Sequence, residues 1–284
     1  MNYALNAENI FHSFAEHQVL NGININVKKG EIFGLLGPSG SGKTTLIKIL
    51  TGQLAQSRGR AEIFGKDAGK LTPAERKKIG VMMDDWGLYG RLSVYDNMKF
   101  YTDIYRISPS CIDGILKDIG LYEARKTAVS KLSKGMKNRL SLARAMINNA
   151  EIIFLDEPTS ALDPVTTKEI HKILVKAKEA GKTIFLTTHN MFEAESICGR
   201  IALLSKGNII EHGSPAEICR KYDRLKKLTI TLKDGETVFM ENGKASAEAV
   251  ADYLEKDMIG AIHSTEPTLE AVFIELTGKG LEQS

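Results

Sequence analysis

The chain has 284 residues, 43% hydrophobic and 26% charged, with a net charge of +3. That balance excludes a disordered chain, and the length suits two domains or one large α/β domain with an appendage. The charge is too small to argue for nucleic acid, and Cys111, Cys198 and Cys219 lie too far apart for a metal knuckle or a disulfide framework, which points to a reducing compartment.

In chain order, Ile23 to Val27 alternates apolar and polar residues, as a half-buried strand does. Lys29-Gly30-Glu31 is a turn, Ile32 to Leu36 a buried strand, and Thr44 to Leu54 a helix after a glycine-rich loop. The whole stretch up to about Asp84 reads as short strands separated by turns. Val94 to Arg106, Pro109 to Ile119 and Met136 to Ile147 carry helical spacing. From Glu151 to Cys219 strands and helices alternate, the pattern of a parallel sheet with crossover helices, with buried strands at Ile152 to Leu155 and Ile201 to Leu204. Leu228 to Leu232 and Thr237 to Met240 flank Asp234-Gly235 as a hairpin, and helices at Ala245 to Glu255 and Thr268 to Thr277 follow. No run reaches the roughly 18 apolar residues that a membrane span needs. Met1 to Asn6 has neither a basic region nor an apolar stretch, so no signal peptide is expected.

Gly37-Pro38-Ser39-Gly40-Ser41-Gly42-Lys43-Thr44 fits G-x-x-x-x-G-K-[ST], between a buried strand and a helix. The glycines let backbone N–H groups point inward at phosphate oxygens, and the helix N-terminus adds a favourable dipole. Lys43 is expected to face the β- and γ-phosphates and Thr44 to ligate Mg²⁺, with Thr45 beside them in the nucleotide-binding set. Ile152 to Leu155 ends in Asp156-Glu157. Two adjacent carboxylates are costly if buried without partners, and a metal ion with a polarised water accounts for both. Asp156 is then the Mg²⁺ residue and Glu157 the general base.

With these in place the chain resembles the nucleotide-binding subunit of ATP-binding-cassette transporters over residues 5–219. Leu132-Ser133-Lys134-Gly135-Met136 resembles the family's LSGGQ signature, Ser160-Ala161-Leu162-Asp163 its D-loop, and His189, after Leu186-Thr187-Thr188, its switch histidine. Phe14 stands where the family has the aromatic that stacks on adenine, and Asp84 where it has the Q-loop glutamine, a metal contact. The resemblance implies two cassettes sandwiching two ATPs. Ser133 and Gly135 of one would face the γ-phosphate on the other, and His189 would hydrogen-bond the γ-phosphate and sense its loss. Lys134, Met136 and Asp84 depart from the usual residues; Ser133 and Gly135, the phosphate-facing pair, are kept.

The tail from Glu266 to Gly278 resembles the C-terminal extension of drug- and antibiotic-export ATPases, which implies a separately encoded integral membrane permease as partner. The expectation is an α/β P-loop ATPase core at 1–219, with a helical subdomain at 85–150 and a small α+β appendage at 220–284. ATP and Mg²⁺ are the expected ligands. A second cassette subunit, as homodimer or heterodimer, is an expected partner, and nucleic acid is not. The expected site is the cytoplasmic face of the membrane, with the segment from Trp86 to Arg91 passing motion to the permease. Two other readings stand beside it: a switch that closes on ATP but hydrolyses poorly, and a soluble cassette protein without a transport role.

Overall fold

In the computed structural model the apolar runs form the middle of a six-stranded sheet. Residues 3–83, 87–160, 162–223, 227–241, 243–264 and 267–278 are described. In chain order they form β1 (Tyr3–Phe14), β2 (His17–Lys28), β3 (Ile32–Leu36), α1 (Lys43–Leu50), β4 (Arg58–Ile63), β5 (Lys66–Asp67), α2 (Pro73–Arg76) and β6 (Ile79–Met82). Then come α3 (Val94–Tyr105), α4 (Ile112–Asp118), α5 (Lys134–Met146), β7 (Ile152–Asp156), α6 (Pro164–Glu179), β8 (Thr183–Thr188), α7 (Met191–Ile197), β9 (Arg200–Ser205) and β10 (Asn208–Gly213). These belong to one compact unit, which ends at residue 213.

β3, β7 and β8 are buried along their whole length, as strands covered on both faces must be. The sheet order is β10-β9-β3-β8-β7-β6, parallel from β9 to β6, with β10 antiparallel at the edge. Leu36 pairs with Thr188, and Thr187 with Asp156. The loops that leave β3, β8 and β7 therefore emerge side by side at the carboxyl edge, where open α/β sheets bind ligands. Phe185 stands between Phe33 and Phe154, with ring centroids 5.7 and 5.6 Å apart, in a core shared with α1 and the antiparallel sheet β2-β1-β4-β5. α3, α4 and α5 enclose a second core around Val94, Met98, Ile112, Leu116 and Leu140.

Residues from 214 on form the other unit. It holds α8 (Pro215–Lys221), β11 (Lys227–Leu232), β12 (Thr237–Glu241), α9 (Ala247–Glu255), β13 (Ile259–Ser264) and α10 (Leu269–Thr277). Its sheet is β12-β11-β13, and α10 packs with α8.

Three expectations are corrected. The first sheet contains two 12-residue strands, not only short ones. Repeated register shifts between β1 and β2 break the alternation by which a strand is recognised while pairing continues through them. The helix after the glycine-rich loop stops at Leu50, where the Thr51 hydroxyl donates back to Ile47 O at 2.8 Å. The hairpin at 228–240 gains a third strand, β13, whose Gly260 and short apolar run give little strand signal.

Gly80 of β6 determines how closely α5 lies on the sheet. A Cβ there would stand 1.9 Å from the Ala145 carbonyl oxygen, which belongs to helix backbone and cannot rotate away. Gly80→Ala is expected to lower unfolding stability by about 1–3 kcal/mol, the usual cost of overpacking. A urea midpoint equal to wild type would show that α5 is free to retreat.

Candidate active site

The glycine-rich loop leaves β3 under tight constraint. A Cβ on Gly37 would meet Leu204 O at 2.3 Å, and Gly42 has φ +109 with Leu20 directly beside it. The loop thus keeps its bare backbone, and Gly42 caps α1, whose first residue is Lys43. Lys43 is buried, its Nζ donating to Gly37 O at 2.6 Å and Pro38 O at 3.0 Å and lying 3.2 Å from Glu157 Oε1. Thr44 Oγ1 donates to Asp156 Oδ2 at 2.7 Å. Ser41 Oγ is buried and makes no hydrogen bond among the described residues, although the loop around it is built from polar groups.

Asp156, 2% exposed, ends β7. Its Oδ1 accepts a hydrogen bond of 2.5 Å from Thr187 Oγ1 on β8. At Glu157 the backbone turns left-handed, with φ +50, a conformation that costs a non-glycine residue about 1–3 kcal/mol. Thr187 supports the turn: Glu157 N–H donates to its carbonyl at 3.1 Å and to its hydroxyl at 3.2 Å. The turn presents the Glu157 carboxylate to two partners, Lys43 through Oε1 and His189 Nδ1 through Oε2, the latter at 2.5 Å.

Lys43, Thr44, Thr45, Glu157 and His189 line one cleft of about 380 Å³ with Ser39, Gly40, Gly42, Ser160 and Val19. A lysine and a ring of loop N–H groups can hold phosphate oxygens there. The Thr44 hydroxyl and Asp156 carboxylate form an all-oxygen pair suited to a hard divalent cation, and Glu157 can take a proton.

Other predicted residues lie elsewhere. Phe14 ends β1 with 51% of its surface exposed, edge-on to His12 at 4.6 Å, outside the residues that line the cleft. It is therefore no core residue. Ser133 caps α5, accepting Met136 N–H at 3.2 Å, and Gly135 lies in the first turn of that helix against Thr166 of α6. Neither lines the cleft. Asp163 caps α6; the Thr166 hydroxyl, and then backbone N–H groups, hold its carboxyl below the usual carboxylate range. Asp84, Trp86, Ala161 and Glu266 lie outside the described residues.

The sequence reading missed Thr187, which touches both carboxylate residues. Its signal was a hydroxyl near the end of the apolar strand Thr183–Thr188, and it gains meaning only when that strand is paired with β7.

Residues 20–160 match the family model described as ABC transporter. The chain is 39% identical to a fluoroquinolones export ATP-binding protein of Mycobacterium tuberculosis, across 94% of this chain and 90% of that protein. It is 36% identical to a lantibiotic transport ATP-binding protein of Streptococcus pyogenes, across 72% of this chain and 89% of the other. Among solved structures, a component of an ABC transporter complex from Clostridium perfringens superposes with a TM-score of 0.69 at 30% identity, covering 79% of this chain and 96% of that one. With a cleft that joins the glycine-rich loop to Glu157 at a strand end, and 39% identity across 94% of its length to the fluoroquinolones export protein, this chain is an ATP-hydrolysing, ATP-binding subunit of the ABC transporter family.

Proposed function

We propose that this subunit spends ATP to drive export of a drug- or antibiotic-like molecule through a separately encoded membrane permease, at the cytoplasmic face and paired with a second cassette. The observation that carries the catalytic part is the chain of contacts Lys43–Glu157–His189 across one cleft. The export part rests on likeness to relatives whose own names are export or transport ATP-binding proteins.

In this reading the loop N–H groups and Lys43 hold the phosphates of ATP. Lys43 is shared between Glu157 and two loop carbonyls, and the greater charge of a triphosphate draws it away from them. That leaves the Glu157 carboxylate free to accept a proton from the attacking water, and His189 free to donate a hydrogen bond to the γ-phosphate. Thr44 and Asp156 would hold Mg²⁺, with Thr187 fixing the other Asp156 oxygen. Bound there, the ion neutralises charge that develops on the phosphates. Phe14, exposed at the end of β1, offers a ring face to adenine, and Ser133 with Gly135 faces the nucleotide of the partner cassette.

Export is tested in cells that lack this chain and are challenged with fluoroquinolones and with lantibiotics. The wild-type chain should restore resistance to at least one class and Lys43→Ala to none; equal restoration by both would refute the motor role. In the purified chain, Glu157→Gln should lower turnover by about 10²–10⁴-fold while leaving ATP binding intact. Lys43→Ala should weaken binding itself, and an ATP affinity within about twofold of wild type, roughly 0.4 kcal/mol, would contradict the role given to it.

For Phe14, the exposed ring separates two outcomes. Phe14→Ala should shift unfolding stability by less than about 0.5 kcal/mol, as surface changes do. ATP binding should weaken by about 1–3 kcal/mol, and inorganic triphosphate should bind both proteins equally. Calorimetric titration with ATP and triphosphate checks this.

A further inference from the structure

Helices on two sides hold the short segment that follows Glu157. Ser160 N–H closes a turn onto Glu157 O at 3.1 Å. From α5, the buried Asn138 donates its side-chain amide to Pro158 O at 3.0 Å. From α7, Glu193 Oε1 accepts the Thr159 hydroxyl at 2.8 Å, and the same oxygen lies 3.2 Å from His171 Nε2 of α6. Glu193 is wholly buried, and its Oε2 has no hydrogen-bonding partner among the described residues. Burying a carboxylate is expensive, and an apolar residue would fill a helix interior more cheaply.

The position of Glu193 accounts for that cost. It lies in the first turn of α7, capped by Asn190, the residue after His189. The Asn190 side chain accepts Glu193 N–H at 3.2 Å, and Asn190 N–H donates to Thr188 Oγ1 at 3.0 Å. One end of the Glu157–His189 contact is thus built into the cap of α7. The other end is two residues from Thr159, which that same helix grips. Glu157 itself sits in a strained left-handed conformation, which persists only where its surroundings over-determine it.

We propose that Glu193 is a positioning residue for ATP hydrolysis, acting through the Thr159 hydroxyl to hold the Glu157 carboxylate in register with His189. The inference rests on the reading of Glu157 as general base. It differs from a purely structural role because the loss falls on kcat, not on nucleotide binding.

Removing a buried carboxylate risks the fold, so the hydroxyl end of the bond is the one to change. Thr159→Val keeps the shape and deletes the donor; Thr159→Ser keeps the donor. In the purified full chain Thr159→Val should lower kcat by about ten- to a hundredfold, with KM for ATP within about twofold, the scale of a small misplacement near reacting atoms. Thr159→Ser should recover most of the loss. Added to Glu157→Gln, Thr159→Val should cost nothing further, because both act at one group.

Wild-type kcat in Thr159→Val, an equal loss in Thr159→Ser, or a full additional loss on top of Glu157→Gln would each overturn the proposal. Near-normal turnover in Glu157→Gln alone would overturn the base assignment and the proposal with it. A normal Thr159→Val beside an inactive Glu157→Gln overturns only the positioning role.

Discussion

Glu157 adopts a backbone conformation that glycine would adopt more cheaply, and the cleft is organised around that fact. A strand that simply continued past Asp156 would send consecutive side chains to opposite faces. The left-handed turn instead gives two neighbouring carboxylates partners at one sheet edge: Asp156, buried, stays with the hydroxyls of Thr44 and Thr187, while Glu157 lines the cleft and reaches Lys43 and His189. The strain is set against several short hydrogen bonds, two of them from Glu157 N–H to Thr187 and others from Asn138 and Thr159 just downstream. The strained residue touches both Lys43 of the glycine-rich loop and His189.

The sheet makes this possible through register. Parallel pairing sets Thr187 opposite Asp156 and Thr188 opposite Leu36, so the three loops start at one level. Several buried polar groups then gather at or near that level. Lys43, Asp156, Thr187 and Glu193 are all buried, and each has a hydrogen-bonding or charged partner. A sheet buried on both faces offers no water to stray polar atoms, so each must be matched by another residue or by a ligand. Ser41 Oγ, in the glycine-rich loop, and Glu193 Oε2 are among the buried polar atoms with no partner among the described residues.

What the sequence made legible was local. The phosphate loop, the Asp156-Glu157 pair and the strand-ending His189 are each readable within about ten residues, because the chemistry needs them contiguous with a strand end. Thr187, Asn138, His171 and Glu193 were not legible, since each acts on a residue far along the chain and looks by itself like an ordinary helix or strand residue. Glu193 reads as a charge four places after His189, indistinguishable from a solvated helix face until α7 is seen packed. The long β1 and β2 were obscured for a related reason: their register shifts erase the period of two on which strand recognition depends.

α5 joins these scales. Ser133 caps it, Gly135 lies in its first turn, and Asn138, little more than one turn on, holds Pro158. Near its far end Ala145 O lies so close to β6 that only glycine fits at position 80. Arg144 adds a bond from its guanidinium to Val81 O at 3.0 Å. A single helix is stiff over this length, so Ser133 cannot shift appreciably while both Asn138 and Ala145 stay in place. A rotation that carries Ser133 must either pivot near Gly80, moving Asn138 together with Pro158 or off it, or open the Gly80 contact. The close glycine contact favours the pivot, because there backbone lies against backbone with no side chain between to absorb the motion.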